Sequence, residues 1–143
     1  FRDIQYLESN GIDLPSETIS RLSGDGNNVK GAAFEVEVAT AYHKKGANVK
    51  GIGIERKGLN TEIDILIEKE NGGLMVVEAK NIDPDDSDII DVKENIGNKV
   101  AAVEDYYGEN TEFILRVKDT DTIPIEILEY VRDKEGVVLK EGA

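Results

Sequence analysis

Residues 61–80, TEIDILIEKENGGLMVVEAK, constrain the fold more than any other stretch. Two apolar runs flank Glu70-Asn71-Gly72-Gly73, a turn signal that predicts a β-hairpin. In the first run Ile63, Ile65 and Ile67 alternate with Asp64, Leu66 and Glu68, which is the period of a strand. In the second, Leu74-Met75-Val76-Val77 is apolar without alternation, as in a central strand covered on both faces. The pair has the composition of a sheet interior, yet it carries Asp64, Glu78 and Lys80. Side chains at i and i+2 of a strand share a face, so Glu78 and Lys80 point the same way. Antiparallel pairing through the turn brings Asp64 beside Glu78, and two carboxylates and an ammonium converge at one edge of the core.

The flanking segments predict what surrounds the hairpin. Residues 29–46 read as a helix with Phe34, Val38, Ala41 and Tyr42 on one face and Gly46 as its stop. Residues 47–56, ANVKGIGIER, read as a strand with glycine interruptions and a bulge. After the hairpin comes an acidic loop with Pro84, then a helix with Ser87 as N-cap and Ile89, Val92, Ile96, Val100 and Val103 on one face. Gly97 weakens the middle of that helix. Residues 111–117 form a strand, Pro124 starts a last helix, and residues 137–140 form a short final strand. Two short helices precede these elements, one ending at Gly11 and one running from Pro15 to Gly24. The order predicts an α/β sandwich around a mixed sheet, because the hairpin is antiparallel and the helix after it allows a parallel crossover. With 143 residues and no internal repeat, one domain is expected: residues 29–143, preceded by a helical N-terminal extension over residues 1–28.

Composition narrows the chemistry. There is no cysteine and a single histidine, His43, which removes disulfides, thiolate metal sites and cysteine nucleophiles and disfavours a histidine-rich zinc site. Two close carboxylates repel each other, and each is costly to desolvate. A divalent cation removes both objections. Mg²⁺ takes a few carboxylate oxygens and keeps waters, and the carbonyl of Ala79 is a further oxygen donor. Lys80 is suited to orient or help deprotonate a water, or to steady charge on a phosphate. These parts suffice for phosphodiester hydrolysis without histidine or cysteine. The net charge of −13 argues against broad non-specific DNA binding and suits a basic protein partner or a site whose charge is met by cations.

Asp64, a 14-residue interval and then Glu78-Ala79-Lys80 resemble the PD-(D/E)XK (restriction endonuclease-like) nuclease superfamily, whose αβββαβ core has the order derived above. Its first helix often carries a glutamate in a Gly-x-x-Phe-Glu setting, and this chain has Gly31-Ala32-Ala33-Phe34-Glu35. The resemblance covers about residues 29–117; residues 1–28 have no counterpart in it, and Ile63 stands where the superfamily has a proline. It implies a metal-dependent nuclease in which Asp64, Glu78, the Ala79 carbonyl and Glu35 hold Mg²⁺ or Mn²⁺, with Lys80 as the catalytic lysine. The implied substrate is nucleic acid, with DNA ahead of tRNA. The motif also resembles toxin domains of contact-dependent inhibition systems, which act with an immunity partner, and many nucleases of this architecture are homodimers. A binding module without activity is the alternative from another class.

Other charged and polar positions have plainer readings. Lys57, Arg56 and Lys99 are candidates for nucleic-acid contact, alongside Lys50, and the resemblance implies that the helix after Glu78-Ala79-Lys80 can add a basic residue to the site, Lys93 or Lys99. Glu37 and Glu62 are expected outside the site, His43 satisfied or at the surface, and Tyr42 in the core. The acidic run Asp83–Asp88 lacks the glycine and final glutamate of an EF-hand loop. No apolar run approaches the roughly 18 residues of a membrane span; the expected site of action is cytoplasmic. The chain starts at Phe1, which suits a domain of a longer protein.

Overall fold

The computed structural model describes residues 2–24, 26–80 and 89–143. Two short helices, α1 (Arg2–Ser9) and α2 (Ser16–Leu22), lead into the longer α3 (Gly26–Lys44). Three strands follow: β1 (Asn48–Ile54), β2 (Ile63–Glu68) and β3 (Leu74–Lys80). Then come α4 (Ile89–Tyr107), β4 (Glu112–Val117), a 3₁₀ turn (Thr120–Thr122), α5 (Ile125–Asp133) and β5 (Val137–Glu141). The strands form one mixed sheet in the order β1-β2-β3-β4-β5. The β1/β2 and β2/β3 pairs are antiparallel, and β3/β4 and β4/β5 are parallel. The helix, three strands, helix, strand order of the sequence reading is the order found. Ser87 and the acidic run lie outside the described residues.

Local chemistry accounts for these elements. The hairpin turn closes with Lys69 N–H on the Gly73 carbonyl at 2.7 Å and Gly72 N–H on the Lys69 carbonyl at 2.9 Å. The register slips between Val49 and Gly51, the bulge expected of the glycine-interrupted strand. Gly53 has φ +60, and a Cβ there would meet Pro15 Cγ at 2.9 Å; glycine lets the α1–α2 connection lie directly on β1. Gly97 has a similar purpose in α4, where a Cβ would lie 2.9 Å from the Tyr130 hydroxyl of α5. Glycine costs helix propensity at residue 97 and leaves room for the Tyr130 hydroxyl.

Helices cover both faces of the sheet. On one, α1, α2 and α3 pack over Ile52, Ile65, Ile67, Val77 and Ala79. On the other, α4 sets Val100 and Val103 against Leu66 and Val76, and sets Val92 and Ile96 against Leu115 and Val117 together with α5. The face predicted for α4 is the one it buries. Helix α3 differs from its one-faced prediction. Ala32, Phe34, Val36, Val38, Ala39 and Thr40 are all buried, because α3 packs against α1 and α2 as well as against the sheet. Leu7 of α1 is fully buried in that layer; sealing such a side chain from water is worth about 2 kcal/mol. Among the described residues no helix is long and apolar enough to cross a membrane.

Candidate active site

Asp64 and Glu78 lie where β2 begins and β3 ends. The β2/β3 ladder has Ile65 opposite Val77 as its last pair at this end. One step further, the Asp64 side chain takes the place of a backbone partner: its Oδ2 accepts the Ala79 N–H at 3.0 Å. In a strand the N–H and C=O of one residue point to the same side, so the Ala79 carbonyl also faces β2. Continuing the register sets Asp64 level with Glu78, as expected. Glu78 falls on the α4 side of the sheet, where Lys99 donates to its Oε1 at 2.6 Å and to the Glu62 carbonyl at 3.3 Å.

Glu35 comes from the opposite layer, on α3. It is bound by Arg21 of α2 in a two-pronged pair, Nη1 to Oε1 at 3.3 Å and Nη2 to Oε2 at 2.8 Å. Its carboxyl is within hydrogen-bonding contact of Asp64, which in turn contacts Glu78. The five groups form a row: Arg21, Glu35, Asp64, Glu78, Lys99. The three carboxylates in the middle are between 5% and 7% exposed.

That burial governs their protonation. Glu35 is pushed up to about 7, by burial first and the charge of Asp64 second, against the pull of Arg21. Asp64 is pushed up to about 8, again by burial and then by Glu78, with Lys99 and the Ala79 N–H opposing. Burial also raises Glu78, although Lys99 counters it. For Lys99, burial works to lower the ammonium, but Glu78 and then Asp64 outweigh it and hold the group above its ordinary value. Three carboxylates this deep, with one cation at either end of the row, favour uptake of a proton or of a further cation. The donor set is all oxygen and hard, which fits Mg²⁺ or Mn²⁺.

The remaining candidates separate clearly. Lys80 is half-buried on the face of Glu78; its charge reaches Glu78, but among the described residues it has no ion pair. Arg56 and Lys57 are exposed in the β1–β2 connection. Arg56 lies near Tyr107 at the end of α4, eight residues or about 12 Å of helix beyond Lys99, so neither joins the carboxylates. His43 is hydrogen-bonded to the Tyr6 hydroxyl at 2.7 Å. Tyr42 is half-buried, its hydroxyl accepting from Arg116 Nε at 2.9 Å. Glu37 is exposed. Among the described residues, the trio of carboxylates with oxygens within 4.8 Å of one another is Glu17, Glu55 and Glu62, beside the row and more exposed. Arg21 is the contributor that sequence reasoning missed. Its segment, SETISRL, carries no local signal of a partner on another helix.

No protein-family model matches the chain, and no curated protein matches it. Its fold is similar to that in a crystal structure of a repair endonuclease from Pyrococcus abyssi, with a TM-score of 0.50 and 16% sequence identity. The likeness covers 82% of this chain and 48% of the other, so the chain spans about half the length of that protein. At that identity the likeness concerns the fold: a restriction endonuclease-like mixed sheet between helices.

Proposed function

We propose that this protein is a metal-dependent nuclease of the PD-(D/E)XK type, hydrolysing nucleic-acid phosphodiester bonds, with DNA as the favoured substrate. The observation that carries the reading is the buried row of Glu35, Asp64 and Glu78 beside Lys80, which has no ion pair among the described residues. Such a concentration of buried like charge works against stability, and it is accounted for if a divalent cation is held there. The fold, similar to that of a repair endonuclease, supports the same reading.

Asp64 and Glu78 would hold the cation together with the Ala79 carbonyl, and Glu35 would reach it through water. When bound, such an ion acidifies water and draws charge from a phosphate oxygen. The chain itself prepares the carboxylates for this. The Ala79 N–H fixes Asp64 Oδ2 and Lys99 fixes Glu78 Oε1, so each residue keeps its other oxygen for a proton or a cation. Lys80 follows Glu78 on the same face of β3 and would orient the attacking water or neutralise charge gathering on the phosphate. The acidity of the whole chain, −13, weakens attraction to long duplexes at physiological salt. Structured or end-bearing substrates fit better.

The test is direct. With Mg²⁺ or Mn²⁺, the protein is expected to cut members of a mixed panel of DNA and RNA, and Glu78→Ala and Lys80→Ala are expected to stop it. Cleavage that survives in both variants would sink the assignment.

A further inference from the structure

We propose that Arg21 of α2 is a positioning residue for this site, gripping both oxygens of Glu35 and fixing how that carboxylate meets Asp64. The inference rests on reading the carboxylate row as a metal site. It makes α2, which precedes the αβββαβ core, a working part of that site.

Geometry is the first support. The terminal torsion of a glutamate is broad and weakly held. Contacts of 3.3 Å and 2.8 Å from the two guanidinium nitrogens to the two oxygens remove that freedom, since a rotation that keeps one breaks the other. Held in this way, Glu35 would support a cation at Asp64 through water. The second support is cost. Arg21 Nε is buried without a hydrogen-bond partner among the described residues, and a buried donor left unpaired costs about 1–3 kcal/mol. A buried ion pair is itself weak support for stability, since an apolar side chain of similar volume often does as well. The arrangement makes better sense through its effect on Glu35. The third support is placement. Arg21 holds one end of the row and Lys99 the other, which leaves Asp64, in the middle, as the carboxylate without an ion pair among the described residues. The deficit of positive charge is thereby focused on the residue a cation would bind.

Mn²⁺ binding to the full chain, measured by calorimetry, tests this in the wild type, Arg21→Ala, Arg21→Lys, Glu35→Ala and the Arg21→Ala/Glu35→Ala double variant. Arg21→Ala is expected to weaken binding about tenfold, the usual scale for removing a group that orients a metal ligand. Arg21→Lys restores only part of it, because an ammonium offers a point charge in place of a planar fork. In the Glu35→Ala background the loss of Arg21 adds nothing, since Arg21 acts through Glu35. Thermal unfolding checks that each variant is folded, and Arg21→Gln replaces the alanine variant if it is not. Unchanged or tighter binding in Arg21→Ala, full rescue by lysine, or an equal loss without Glu35 would each overturn the inference while leaving the metal site standing. A wild-type protein that binds no Mn²⁺ would overturn the metal reading and this inference with it.

Discussion

The two ends of β2 and β3 carry charge in opposite ways. At the hairpin end Lys69 pairs with Glu112 at 3.3 Å and Lys50 with Glu68 at 3.9 Å, all four side chains being at least 32% exposed. Water screens such pairs, and each is worth about 0–1 kcal/mol. At the other end Glu78 and Lys99 meet at 2.6 Å with side chains 9% and 26% exposed, and two more carboxylates are packed beside them. The same strands support an ordinary solvated rim at one end and a concentration of buried charge at the other. Folding explains the first without further help. The second lowers stability on its own, which is the usual trade at a functional site.

The comparison breaks most severely if the buried end is disarmed. Asp64→Ala or Glu78→Ala should lower metal-dependent cleavage by about 10³-fold or more, the loss of several kcal/mol of charge stabilisation. Lys99→Ala strips the buried Glu78 of its ion pair and should cost roughly 3 kcal/mol in chemical denaturation. Lys80→Ala should separate the two properties, with cleavage down about 10²-fold and stability within about 0.5 kcal/mol of wild type.

Acidity sharpens the contrast. Asp64 and Glu35 rise in the folded chain from ordinary values of 3.8 and 4.5 to about 8 and about 7. A carboxyl raised by folding contributes stability that is complete below its unfolded value and lost as pH climbs through its folded one. The metal-free protein should therefore melt at progressively lower temperature from about pH 4 to pH 8 in chelator. Asp64→Asn should remove much of that slope, and Mn²⁺ should raise the melting temperature more at pH 8 than at pH 6, because binding displaces protons. The smallest effect belongs to the solvated end: Lys69→Ala should shift stability by no more than about 0.5 kcal/mol and leave cleavage unchanged.

Much of this was readable before any coordinates. Ile63, Ile65 and Ile67 alternating toward a turn, then an unbroken apolar run, fix a hairpin. The hairpin fixes which of Asp64, Glu78 and Lys80 share a face. The spacing of Val92, Ile96, Val100 and Val103 likewise specified the buried side of α4. Other features left no local trace. Lys99, on the helix after Glu78-Ala79-Lys80, is a candidate both for phosphate contact and for joining the site, and its ammonium is engaged with Glu78. Its place next to Val100, at the margin of the buried stripe, was the available hint. For Arg21 there was none, and α3 read as one-faced because nothing in its own sequence announces that α1 and α2 will pack against it as well as the sheet.

The sequence by itself determined the elements, the hairpin and the meeting of Asp64 with Glu78, because strand period and turn chemistry act over a few neighbouring residues. Only the tertiary structure decided that Arg21 would hold Glu35, that Lys99 would hold Glu78, and that all three carboxylates would be buried in one row. Those contacts join residues 14 to 29 positions apart on different elements, and their geometry follows from how the layers close over the sheet.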